Sequence, residues 1–243
     1  MTRLSVNLNK VATLRNTRPL NIPSVTRAAG ICLHAGAHGI TVHPRPDQRH
    51  VRPSDVHELA LLMKEFPGAE FNIEGNPFQK YMHFARDLHP AQCTLVPDEE
   101  GQSTSDHGWD LHRDGERLRP VVEELRALGC RVSLFMDAAV DAMKLARQVG
   151  ADRVELYTEP YASAFMRGAG KESAATFAAA ARAAVDEGLG VNAGHDLNLA
   201  NLPALLDAAP QILEVSIGHA LIADALDMGL GATVKAYLAT ISR

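Results

Sequence analysis

His43, Glu74 and His195 are the residues in this chain best suited to chemistry. Each sits at the end of a short apolar run, and each side chain can exchange protons near neutral pH once its surroundings tune it. Two imidazoles and a carboxyl also make a common metal-ligand set. No HxH or HxxxH spacing accompanies them, so acid–base work is the first reading and metal ligation the second. The segment opened by His43, His43-Pro44-Arg45-Pro46-Asp47-Gln48-Arg49-His50, adds two guanidiniums and a second imidazole. Its prolines fix their own φ and push the preceding residues toward extended backbone, which makes a stiff loop able to hold such groups.

Anion binding is the second chemistry on offer. Arg18, Arg45 and Arg49 carry permanent charge in a fork that matches phosphate oxygens. Ser216-Ile217-Gly218-His219-Ala220-Leu221 runs from an apolar segment into a helix-like one through a glycine, the pattern of a helix N-terminus that receives phosphate on its amides. Asn192-Ala193-Gly194-His195-Asp196 is a second turn of this kind. Two anion sites imply a bisphosphate or two phosphorylated substrates.

Something must bring these distant residues together. Eight short apolar runs read as buried strands: Leu4 to Leu8, Gly39 to Val42, Glu70 to Ile73, Gln92 to Val96, Arg131 to Met136, Arg153 to Leu156, Gly190 to Ala193 and Leu213 to Ile217. Helix-like segments lie between them, including Ser54 to Phe66, Glu116 to Leu128, Ala138 to Val149 and Ser173 to Glu187, with Ser54 and Asp137 expected as caps and Gly129, Gly150 and Gly188 as stops. This alternation predicts a single (β/α)8 barrel with extra helices over residues 1–243, with an open doubly wound sheet as the competitor. Asn7, His43, Glu74, Pro97, Asp137, Glu155, His195 and Gly218-His219 then stand at the strand ends, where a barrel would gather them at one mouth. The polar stretch Asp98 to Asp110, with Gly101, Ser103, Thr104, Ser105 and Gly108, and the stretch Thr158 to Lys171 are candidate lids.

Composition narrows the classes. A net charge of -5 argues against a general nucleic-acid binder, so any cationic patch is local. Cys32, Cys93 and Cys130 are odd in number and have no CxxC spacing, which favours small core residues over disulfides or zinc ligands. The first residues lack a signal-peptide core, and no apolar run reaches the roughly 20 residues of a membrane helix, so a cytoplasmic protein is expected. Neither a GxGxxG after the first strand nor a Walker-A pattern occurs, which removes the usual nucleotide readings.

Taken in order, Val6-Asn7-Leu8-Asn9-Lys10-Val11-Ala12-Thr13-Leu14-Arg15-Asn16-Thr17-Arg18, Gly39 to His43, Arg45, Arg49-His50, Val191 to His195 and Ile217 to Ala220 resemble the pyridoxine 5′-phosphate synthase family of the deoxyxylulose-phosphate-dependent vitamin B6 pathway. The resemblance implies a (β/α)8 barrel, assembled as a homo-octamer, that condenses 1-deoxy-D-xylulose 5-phosphate with 3-amino-2-oxopropyl phosphate and needs no cofactor or metal. It implies His43 and Glu74 as proton acceptors and His195 as donor. Asn7, Arg18, Asp196, Gly218 and His219 match positions that hold the amino-ketone phosphate; Arg45, His50 and Thr104 match those that hold the deoxyxylulose phosphate. Asn9 and Lys10 stand where many members have Asp-His, and Asp196 where a glycine is common. Two alternatives remain at this level: a metal-dependent sugar-phosphate aldolase or isomerase, and a sugar-phosphate-binding barrel without turnover.

Overall fold

A computed structural model describes residues 1–99, 101–102 and 104–242. Ser103, one of the residues of the first candidate lid, lies outside the described residues. Eight parallel strands close on themselves in sequence order: β1 (Arg3–Asn7), β2 (Gly39–Val42), β3 (Glu70–Gly75), β4 (Gln92–Leu95), β5 (Arg131–Met136), β6 (Arg153–Tyr157), β7 (Gly190–Gly194) and β8 (Ile212–Ile217), with β8 paired back to β1. Closure decides for the barrel and against the open sheet. The helices around it are α1 (Asn9–Asn16), α2 (Val25–His34), α3 (Pro53–Met63), α4 (Met82–Leu88), α5 (Leu111–Ala127), α6 (Ala142–Val149), α7 (Glu159–Met166), α8 (Gly170–Asp186), α9 (Leu202–Ala208), α10 (His219–Met228) and α11 (Leu230–Ile241).

Alternation along the strands sorts the side chains into two layers. Val6, Ile40, Ile73, Leu95, Leu134, Leu156, Val191 and Val215 are fully buried in the apolar layer shared with the helices. That layer is the core. The alternate residues meet inside the barrel, and there they are largely polar: Ser5 lies 2.7 Å from Thr41, Asn72 donates to Thr41, and Thr94 donates to Asn72. The three cysteines are buried and free, as expected of small core residues.

Several helix boundaries differ from the sequence expectation. Ser54 does not cap α3; Pro53 occupies the first turn, and the Asp55 carboxylate reaches back to the Arg52 amide at 2.7 Å. Asp137 does not cap α6, which begins five residues later at Ala142; its carboxylate instead accepts from the Gly108 amide at 3.1 Å. Helix α5 starts at Leu111, earlier than expected, because Asp110 caps it by accepting from the His112 amide. The proposed second lid, Thr158 to Lys171, is mostly helix: α7 opens with a proline in its first turn and α8 follows directly. Gly129, Gly150 and Gly188 do end helices, each at a positive φ.

Candidate active site

The C-terminal ends of the strands open onto a cavity of about 490 Å³. Its wall contains Asn7, Asn9, Lys10, His43, Arg45, His50, Glu74, Thr104, His195, Asp196, Gly218 and His219, every candidate from the sequence except Arg18. Helix α1 ends at Asn16, and Arg18 is exposed in the turn beyond it, away from the wall. A second cavity of about 600 Å³ adjoins the first and shares His43, Arg45 and Arg49 with it.

His43 lies at the centre. Strand β2 delivers it buried, and its backbone amide is fixed by donation to Asn9 Oδ1 at 2.9 Å. An aspartate in place of Asn9 could accept the same bond, so the amide keeps the positioning role and changes only the charge. Glu74 Oε2 stands 3.9 Å from His43 Nδ1, and Asp98 Oδ2 stands 3.7 Å from Nε2. Burial holds the His43 imidazole well below its usual pKa, and the cations of Arg45 and Arg49 and the neighbouring imidazoles of His50 and His195 act in the same direction. Burial, with the nearby Asp98 and Glu214 charges, pushes Glu74 up to about 8 against the opposing pull of Arg45. His43 is therefore neutral, with one ring nitrogen free to accept a proton, and Glu74 mostly protonated at neutrality.

His195 is held by backbone strain as well as by contacts. It has φ 86° and its successor Asp196 has φ 56°, the left-handed region that suits glycine far better than a side chain with Cβ. Thr158 Oγ1 binds the carbonyls of both Gly194 and His195 at 2.6 Å, and Asn201 holds the Asp196 carbonyl. The imidazole packs on Phe135 and Tyr157, and desolvation lowers its pKa despite the Asp196 carboxylate. The Asp196 side chain is exposed. The turn after β7 does not run into a helix as the sequence pattern implied; α9 begins only at Leu202. The turn after β8 does, since α10 starts at His219 with Gly218 as its cap, so a helix N-terminus borders the cavity there. A side chain at Gly218 would crowd Asn7, its Cβ falling 3.2 Å from the asparagine.

On the opposite wall, Arg45 is buried and its fork is engaged by Asp98 and, at 2.7 Å, by the Gln102 carbonyl. Arg49 donates to that carbonyl at 2.7 Å as well. His50 Nδ1 accepts from the Val51 amide at 2.9 Å, which leaves the proton on Nε2. Burial and the cations of Arg45, Lys10 and Arg49 lower its pKa to about 4, so His50 is a neutral hydrogen-bond donor.

Two residues without a sequence-assigned role belong to this constellation. Glu155 on β6 is buried, lines the cavity, and has an Oε2 with no hydrogen-bond partner among the described residues. Burial, then Glu74 and Glu214, raise its pKa well above the carboxylate range. Its signal was present in the alternation Arg153-Val154-Glu155-Leu156-Tyr157, which places a carboxyl inside the barrel beside Glu74. Asp98 is buried next to Arg45 and Ser105, also with one orphaned oxygen. As a loop residue it carried no periodic signal. Among the described residues, no group of three His, Cys, Asp or Glu side chains is arranged to hold a metal ion, so nothing in the geometry favours the metal reading of the trio.

Fold and site together define a class: (β/α)8-barrel enzymes that move protons among the groups of a C-terminal mouth. The model of one family, described as pyridoxal phosphate biosynthesis protein PdxJ, matches residues 4–243, and the chain belongs to that family. A pyridoxine 5′-phosphate synthase from Albidiferax ferrireducens is 60% identical over 100% of this chain and 98% of its own length. One from Xanthomonas campestris pv. campestris is 54% identical over 99% of this chain and 96% of its own. Among solved structures, tryptophan synthase from M. tuberculosis shares the fold, with a TM-score of 0.64 at 16% identity, covering 99% of this chain and 93% of that one.

Proposed function

We propose that the chain is a pyridoxine 5′-phosphate synthase, joining 1-deoxy-D-xylulose 5-phosphate to 3-amino-2-oxopropyl phosphate with release of phosphate and water. The observation that carries this reading is the meeting of His43, Glu74 and His195 with Arg45, His50 and the α10 N-terminus around one cavity, in a chain of the PdxJ family. The reaction is a succession of proton transfers: an amine attacks a ketone, water leaves, phosphate is eliminated, and a carbon–carbon bond closes a ring that then aromatises. His43, neutral, has a ring nitrogen ready as an acceptor. Glu74, with its pKa about 8, accepts through its ionised fraction and holds its proton at a level from which it can be returned. His195 is the donor, loaded as the arriving phosphate dianions raise its pKa.

Arg45 and Arg49, with His50 as a neutral donor and Thr104 beside them, form the grip on the deoxyxylulose phosphate; Lys10 adds a cation at the start of α1 and Asn9 fixes His43. Asn7, the Asp196 turn and Gly218-His219 hold the amino-ketone phosphate on the other side. Arg18 is assigned to that ligand by resemblance alone. The same reading takes residues 1–243 as one domain of a cytoplasmic homo-octamer that binds neither nucleic acid nor membrane. No helix of the described residues is long and apolar enough to cross a membrane. Mixing the purified protein with both substrates should yield pyridoxine 5′-phosphate; a well-folded sample that makes none contradicts the assignment.

A further inference from the structure

The phosphate grip sits on a loop, and loops hold geometry only where something braces them. The segment from Arg45 to His50 bonds within itself through a tight turn from the Arg45 carbonyl to the Gln48 amide at 3.0 Å, with Gln48 at φ 54°, and through Asp47, which accepts from the Arg49 amide and from its guanidinium at 2.7 Å. The carbonyls of its last three residues, Gln48, Arg49 and His50, meet the end of α1. There, Asn16 Nδ2 donates to the carbonyl of His50 at 2.8 Å and lies within 3.2 and 3.3 Å of those of Arg49 and Gln48. Arg15 Nη2 reaches the same His50 carbonyl at 3.1 Å, and its Nε donates to Asn16 Oδ1 at 3.1 Å, which fixes the orientation of the amide.

Arg15 is itself locked. It is only 4% exposed, and its fork closes on Asp55 through both nitrogens. Asp55 in turn caps α3 through the Arg52 amide. An ion pair this deep costs desolvation and is weakly justified by stability alone, since apolar residues of similar volume often serve as well. What it supplies here is a fixed donor pair behind a phosphate loop.

The geometry points to Arg15, Asp55 and Asn16 as a clamp that positions the Arg45-to-His50 loop and thereby sets affinity for the deoxyxylulose phosphate. None of the three lines the cavity, so they are positioning residues and not catalytic ones. The inference rests on the functional reading above, which assigns that phosphate to the loop. The loop holds one of the two phosphates, so releasing it should weaken binding of that substrate and not of the other.

The test compares Asn16→Ala and Asn16→Asp with the unaltered chain, measuring Kd for deoxyxylulose phosphate by calorimetry and both Michaelis constants by turnover. Asp preserves shape but has no hydrogen to donate, so a space-filling role would survive it. Both variants should weaken deoxyxylulose phosphate about tenfold in Kd and KM, roughly what loss of one or two hydrogen bonds gives. The KM of the amino-ketone phosphate and kcat at saturation should stay within about twofold. Arg15→Lys, which keeps the charge beside Asp55 but loses the reach to His50, should shift Kd in the same direction and lower Tm. Unchanged Kd in both Asn16 variants, or equal losses for the two substrates, overturns the clamp. An unaltered chain that binds deoxyxylulose phosphate but makes no product counts against the functional reading alone, because the Kd comparison still decides the clamp. One that does not bind it overturns both.

Discussion

The two ends of the barrel use the same residue types to opposite effect. At the N-terminal end, Glu70 lies between Arg3, at 2.5 Å, and Arg131; Arg131 binds Gln92, Gln92 binds Glu214, and Arg153 binds Asn192. Burial alone would raise Glu70, but the guanidiniums of Arg131 and Arg3 outweigh it and hold the carboxyl below its ordinary pKa. At the mouth, neither Glu74 nor Glu155 has a guanidinium in contact among the described residues, and Glu74 accepts from Asn7 Nδ2 only at 3.4 Å; Glu74 is pushed up to about 8 and Glu155 is raised well above the usual range. Paired charges close the base of the barrel. Carboxyls raised by burial, next to imidazoles held neutral, give the other end groups suited to proton transfer.

The largest effect should come from removing the Glu74 carboxyl. Glu74→Gln keeps size and hydrogen bonding but loses the proton acceptor, so kcat should fall by roughly a thousandfold while calorimetry shows both substrates still bound. Arg45→Lys comes next. It preserves charge but not the fork, and the KM for deoxyxylulose phosphate should rise by roughly tenfold or more with a smaller change in kcat. An unchanged KM would remove Arg45 from the grip. The smallest effect belongs to the other end: Glu70→Gln loosens a partly exposed pair and should lower Tm by about 3 °C with kcat unaltered. A loss of activity there comparable to that of Glu74→Gln would erase the contrast between the two ends.

The strand pattern was legible because apolar residues recur at alternate positions where each strand packs under the helices, and all eight were located within about two residues. Strand ends then carried the site: His43, Glu74 and His195 are where a barrel would put them. Helix starts were harder to read, because α3 is begun by Pro53 and capped by a carboxylate three residues downstream, and α5 by an aspartate inside a presumed loop. Asp98 and the Arg15–Asp55 pair were out of reach for another reason. Their partners lie 53 and 40 residues away in sequence, and no local spacing encodes such a contact. Arg18, exposed in the turn after α1, does not line the cavity, and its assignment to phosphate rests on residue type and resemblance.

The pH dependence of kcat at saturation, where bound phosphates keep His195 loaded, measured from about pH 6.5 to 9 so that ionisation of the substrate phosphates lies below the range, tests most directly whether the Glu74 carboxyl is the base. Glu74 has a pKa raised to about 8 and accepts only when ionised. The rate should therefore climb about tenfold per pH unit at first, level off above about 8, and lose this limb in the residual activity of Glu74→Gln. A profile that falls through pH 8, or a limb that survives the substitution, would contradict the account.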